Sequence, residues 1–196
     1  EELLTHLCGI FDQHDLHVEY TQKVDAIYTL SGRGENIIVT NTHAYAARKT
    51  ILAIGKSGNA RRLEVPGEDL AHVYNKLYDP AEFKGNNILV VGGGDTALES
   101  AILLAKAGNK VTISYRKHSF TRPKPGNINM VNTLVKSGQI TLLMNSLVRE
   151  IRERDVTLHV GEEAQTQAFH AVFSMIGTQL KYEFFKKSGI KIANAK

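Results

Sequence analysis

Three consecutive glycines, Gly92, Gly93 and Gly94, followed by Asp95, Thr96 and Ala97, stand directly after the apolar run Ile88–Val91. Gly92, Gly94 and Ala97 fit the spacing G-x-G-x-x-A, whose chemistry is the binding of a dinucleotide pyrophosphate. A glycine at the first position permits a tight turn from strand to helix. At the second it removes the Cβ that would hold a phosphate away from the backbone, and a small third residue lets helix pack on strand. The N–H groups at the helix start then have no internal partner and, with the helix dipole, hold phosphate oxygens. Thr96 and Glu99 have the spacing of a capping box that would order this first turn. The bland alternative is that the glycines only make a sharp turn. An apolar strand before the motif and an apolar helix after it favour the ligand, so residues 92–97, Gly93 and Asp95 included, are candidate cofactor-binding residues.

In NAD-binding folds an acidic residue about 20 positions past the glycines takes the ribose hydroxyls. Here that place reads Ser114-Tyr115-Arg116-Lys117 and carries no carboxylate. Arg116, Lys117, Arg122 and Lys124 gather in one short loop with His118 among them, a composition suited to a ribose 2′-phosphate. The expected cofactor is therefore NADPH rather than NADH, with Arg116, Lys117 and Arg122 as its readers. A solvated surface turn or a weak nucleic-acid patch is the alternative reading. Tyr115 and Phe120 interleave with the charges, but no RNA-binding signature accompanies them.

The elements that must position these residues follow from periodicity. Residues 88–91 predict a strand, 96–107 a helix ended by Gly108-Asn109, and 110–115 a second strand, together a βαβ unit. A helix is expected from about Asn127 to Lys136, then strands over 140–144, 147–153, 156–160 and 168–175. Before this region, Leu3, Leu4, Leu7, Ile10 and Phe11 recur at helical spacing, with Cys8 on the same predicted helix as a small core residue. Strands are expected at 18–20, 23–30, 36–40 and 44–47, the last three forming a β-meander through the turns 31–34 and 41–43. Thr50–Ile54 reads as a short buried strand, residues 182–187 as a short helix and 190–192 as a strand.

The totals limit the function classes. The chain has 196 residues, 42% hydrophobic and 22% charged, the composition of an ordinary soluble globular protein. A single cysteine excludes an intramolecular disulfide, a Cys-x-x-Cys centre and a multi-thiolate zinc site. His14 and His17 with Asp12 and Asp15 lack a zinc-binding pattern and read as a solvated loop, so no metal is expected. No apolar run approaches the roughly 20 residues of a membrane span. The expected setting is cytoplasmic, with no membrane partner. A net charge of +4 is too mild to imply nucleic acid.

These motifs, in this order, resemble the thioredoxin-reductase-like flavoproteins of the pyridine nucleotide–disulfide oxidoreductase family. Residues 50–55 followed by 62–68 resemble the strand and crossover that leave the flavin domain, and Val172–Gly177 resembles the strand that returns to it. Tyr115-Arg116-Lys117 stands where the family places its reader of the 2′-phosphate, and Arg122 matches the arginine just beyond. The resemblance implies an α/β fold: a Rossmann-like NADPH-binding domain over 67–178, with flavin-domain segments at 1–66 and 179–196. It adds Gly177 to the cofactor-binding candidates. It implies FAD in the full-length protein, hydride transfer from NADPH to flavin, a ferredoxin-like or low-molecular-weight disulfide acceptor, and a homodimer. A non-catalytic NADP(H)-sensing module is the alternative.

Departures from the family narrow the expectation. The family's dithiol would fall within Tyr74–Pro80, which has no cysteine, so direct reduction of thioredoxin is not expected. The chain is closer to the ferredoxin–NADP reductase and bacillithiol-disulfide-reductase-like relatives. The glycine-rich and Gly-Asp flavin motifs are missing, so this stretch is not expected to hold FAD tightly. No residue in it takes a catalytic role.

Overall fold

Alternation in the run Asn87–Val91 organises the larger part of the molecule. Ile88 and Val90 point to one face of a sheet and Leu89 and Val91 to the other, and all four are buried, so both faces must be covered. The computed structural model describes residues 2–30, 32, 34–55, 60–179 and 182–191. The chain forms two compact units, residues 55–180 and residues 1–54 with 181–196.

In residues 55–180, strands β4 (Val73–Tyr74), β5 (Asn87–Val91), β6 (Lys110–Tyr115), β7 (Ile140–Met144) and β11 (Ala171–Ser174) make a parallel sheet in the order β4-β11-β5-β6-β7. Helices α2 (Asp95–Lys106) and α3 (Pro125–Lys136) cover one face, packing Leu98, Ala101, Leu134 and Val131 on Ile88, Val90, Ile113 and Phe173. Phe173 is fully buried and stacks on Tyr74 at 5.1 Å, with Phe83 edge-on at 5.2 Å. Its truncation to alanine would cost about 3–5 kcal/mol. Strands β8 (Ser146–Ile151), β9 (Asp155–Val160) and β10 (Glu163–Ala168) form an antiparallel sheet whose Val148, Ile151, Val156 and Leu158 pack against Leu89, Val91 and Val172 on the other face. One buried side chain locks the end of α2: Asn109 donates to the carbonyls of Phe83 (2.6 Å) and Leu104 (2.8 Å) and accepts from the Asn86 N–H (3.1 Å).

The other unit contains α1 (Glu2–Gln13), an antiparallel meander of β1 (Val24–Leu30), β2 (Glu35–Thr40) and β3 (Ala44–Ala47), and α4 (Tyr182–Lys187), whose following Ser188 accepts from the Ile27 N–H. Its large apolar side chains are mostly exposed, Leu3, Leu7, Phe11, Tyr28 and Ile51 among them.

Several sequence expectations need correction. Cys8 is exposed rather than part of a core, because the apolar side chains around it on α1 are themselves exposed. Residues 18–20 and 50–54 form no strand. Both runs lack a ladder neighbour among the described residues, and Ile51 is 91% exposed, so β-branched composition alone does not make a strand. The capping box is absent, since Gly94 is the N-cap of α2 and makes no side-chain cap. Helix α3 starts earlier than expected, at Pro125, whose fixed φ suits a first helical position. Strand β10 has a polar sequence without alternation and pairs through its backbone with β9. Of the turn 31–34, Ser31 and Arg33 lie outside the described residues. So does Ile192 of the expected last strand, while Ile190 and Lys191 are in no element. No helix among the described residues is long and apolar enough to cross a membrane.

Candidate functional site

The parallel registers bring the motif residues to one edge of the sheet. Val91 pairs with Ser114 of β6 on one side and Ser174 of β11 on the other, so the loops leaving these three strands emerge together at their C-terminal ends. Residues 92–97 follow β5, Arg116 to Lys124 follow β6, and Gly177 follows β11. Chain order also reverses here: β6 and β7 lie on one side of β5, β11 and β4 on the other. A crevice at such a switch point is where open α/β sheets bind ligands.

Each glycine has a different reason to be one. Gly92 has φ +147°, its N–H donates to Ser114 O at 2.9 Å, and a Cβ would fall 2.4 Å from the Met175 carbonyl oxygen. At Gly93 a Cβ would fall 2.2 Å from the ring of Tyr115. At Gly94 a Cβ would meet no atom within 4 Å. The fold therefore demands the first two, whereas at the third, the N-cap of α2, an added Cβ finds only open space. The first intrahelical bond runs from Leu98 N to Gly94 O, so the N–H groups of Asp95, Thr96 and Ala97 precede the helical ladder without a side-chain cap. Ala97 is fully buried against the sheet and Thr96 is exposed.

Asp95 is held from α3. Its Oδ1 accepts from the Lys124 N–H and from Asn127 Nδ2, both at 2.8 Å, and Asn127 also donates to Glu99 Oε1 at 3.0 Å. The Lys124 backbone hydrogen bond first, then Asn127 and the Lys124 charge, hold the Asp95 carboxyl below its ordinary value. One asparagine thus ties two carboxylates a turn apart on α2 to the start of α3, and Glu99 is engaged there instead of in a cap.

The loop after β6 is ordered from below by aromatic stacking. Tyr115 is buried under Gly93, and Phe120 stacks on its ring at 5.4 Å with the planes 18° apart. Asn145 N–H donates to Lys117 O at 3.1 Å. Arg116, Lys117 and Arg122 are exposed, and none has a carboxylate partner among the described residues, so their charge is directed to solvent at the sheet edge. The supporting roles of Tyr115 and Asn127 were not read from the sequence. The adjacency of Tyr115 to the basic run was its only visible sign.

A family model described as pyridine nucleotide-disulphide oxidoreductase matches residues 1–196. The chain belongs to that family. Its relatives include a ferredoxin–NADP reductase from Ignicoccus hospitalis, 32% identical over 168 residues, which are 81% of this chain and 53% of that protein. The bacillithiol disulfide reductase Bdr (YpdA) from Staphylococcus aureus superposes with a TM-score of 0.87 at 29% identity, over 99% of this chain and 60% of its own. Thioredoxin reductase from Lactococcus lactis superposes with a TM-score of 0.75 at 27% identity, over 89% of this chain and 58% of its own. The chain spans about half the length of the curated relatives it matches. The family's thioredoxin-reductase-like α/β fold is the one described above.

Proposed function

We propose that this chain is the NADPH-binding region of an FAD-dependent oxidoreductase that passes hydride from NADPH to flavin and electrons onward to a ferredoxin-like or low-molecular-weight disulfide acceptor. The observation that carries the reading is the open space at Gly94, set between uncapped helix N–H groups and the unpaired Arg116, Lys117 and Arg122. That arrangement fits a pyrophosphate on the α2 N-terminus and a 2′-phosphate on the loop after β6. The protein's share of the chemistry is to bind and orient, because the cofactors carry the electrons. The names of the ferredoxin–NADP reductase and bacillithiol disulfide reductase relatives support the two acceptor classes. The absence of cysteine from residues 74–80 argues against a thioredoxin dithiol mechanism in this stretch.

Calorimetric titration of the chain with NADPH and, separately, with NADH tests the cofactor. A preference of tenfold or more for NADPH is expected, and equal affinity would remove the phosphate-reader assignment. The full-length protein is expected to be yellow and to bleach on addition of NADPH. A colourless protein would refute the flavin half of the proposal.

A further inference from the structure

The chain leaves the parallel sheet and enters the antiparallel one through a single residue. Strand β7 ends at Met144 and β8 begins at Ser146, and Asn145 between them has φ +51°. This left-handed conformation is disfavoured for residues with a Cβ, and asparagine is among the few types that tolerate it. Both backbone groups of Asn145 are committed to other segments. Its N–H donates to Lys117 O in the loop after β6 at 3.1 Å, and its carbonyl accepts at 2.9 Å from the N–H of Gly161, in the turn between β9 and β10. A residue relaxed to negative φ would rotate its N–H relative to its carbonyl, so the two bonds could not both be kept. The Asn145 side chain is exposed, and its link to these segments is through the backbone.

The corner is fixed from beneath. Ser146 Oγ donates to Leu143 O at 2.5 Å and lies 2.8 Å from Ser114 Oγ, which therefore donates to it, and both serines are buried. Ser114 O in turn accepts the Gly92 N–H. Asn145 is thus held against β6 where the basic loop departs. That loop is anchored unequally. Its far half is held by Phe120 on the Tyr115 ring and by the Lys124 N–H on Asp95. Its near half, with Arg116 and Lys117, has the Asn145 bond as its tether, and residues 116–123 make no other backbone hydrogen bond among the described residues. Arg116 and Lys117 are exposed, so the backbone beneath them decides where their charge stands. We infer that Asn145 is a positioning residue for cofactor selectivity: its left-handed backbone, tied to Lys117 and Gly161, fixes where Arg116 and Lys117 present charge to a 2′-phosphate. The inference rests on the NADPH reading proposed above and adds to it a residue outside the basic loop.

The test uses the 196-residue chain with NADPH and NADH as probes, and amide hydrogen exchange as an independent readout. Asn145→Gly keeps the left-handed conformation and both backbone bonds, whereas Asn145→Val, β-branched, opposes them. Asn145→Ala, with a smaller side chain, takes its place if the valine variant does not fold. The valine variant is expected to lose protection of the amides at 145 and 161 and to bind NADPH about three- to tenfold more weakly, while NADH binds as to wild type. The glycine variant is expected to keep wild-type protection and selectivity. A turn with a structural duty alone predicts a lower melting temperature and an unchanged ratio of NADPH to NADH affinity, and that result would overturn the inference. So would amides that stay protected in the valine variant, or a ratio lost in the glycine variant, which would assign the effect to the side chain. Equal affinity of wild type for the two cofactors, or binding of neither, would instead remove the NADPH reading and the inference with it.

Discussion

Replacing Gly94 with alanine separates what the fold needs from what a ligand needs. The added Cβ meets nothing within 4 Å. Alanine is a poorer N-cap than glycine by about 0.5–1 kcal/mol, but it restricts the unfolded chain by a similar 0.4–1 kcal/mol, so the two terms nearly cancel. The melting temperature of Gly94→Ala should stay close to wild type. The same methyl group occupies the space assigned to the pyrophosphate. Losing charge-assisted backbone bonds worth about 1.5–3 kcal/mol would weaken NADPH by roughly ten- to a hundredfold. Gly93→Ala is the control of opposite sign. Its Cβ falls 2.2 Å from the buried Tyr115 ring, an overpacking that costs about 1–3 kcal/mol and lowers the melting temperature by roughly 2–12 °C. Differential scanning fluorimetry and NADPH calorimetry on the two variants give the comparison. If Gly94→Ala binds NADPH as wild type does, the phosphate cradle is wrong. If it melts as low as Gly93→Ala, the space before α2 is not open.

Arg116→Ala should weaken NADPH at least tenfold and leave NADH nearly unchanged, as equilibrium titration of both cofactors would show; equal losses would refute a phosphate-specific role. Asp95 has its folded-state pKa held below the ordinary value of 3.8 by the Lys124 N–H and Asn127. Its ionised form therefore stabilises the fold fully above about pH 4, and that contribution is lost as pH falls through the lower folded-state value. The stability advantage of wild type over Asp95→Asn should accordingly shrink on acidification; melting curves between about pH 2 and pH 6 test this, and an advantage that grows toward low pH contradicts it. Asn109→Ala leaves the Asn86 N–H and the Phe83 and Leu104 carbonyls without their partner and should cost about 2–3 kcal/mol, measured by urea unfolding.

The βαβ unit and its glycine turn were legible in the sequence because strong local signals agreed there. A buried apolar run, three glycines and an amphipathic helix all specify the same conformation. The runs 18–20 and 50–54 misled because a strand is defined by its neighbour, and composition carries no information about whether a neighbour exists. Strand β10 escaped for the converse reason: Glu163–Ala168 has no apolar alternation, and only pairing with β9 makes it a strand. At the site, the cations at 116, 117 and 122 were visible, whereas their support was not. The Tyr115–Phe120 stack and the Asp95–Asn127 bond join residues whose proximity depends on a loop path and a helix-to-helix approach. Asn145 gave no signal at all, since the two bonds of its left-handed backbone are recognisable only once Lys117 and Gly161 stand beside it.

The position of β11 between β4 and β5 has a consequence for how the molecule is made. During synthesis, β5, β6 and β7 emerge in order and pair with immediate neighbours, but the flank of β5 that will receive β11 waits for roughly 80 further residues, or about 4–16 s at ~5–20 residues per second. Throughout that interval the backbone groups of Leu89 and Val90 form an open edge beside fully apolar side chains, a template to which another nascent chain can add. The strand whose C-terminal end carries the glycine turn thus keeps an open edge while the chain is incomplete, and insertion of residues 171–174 is the event that closes that route.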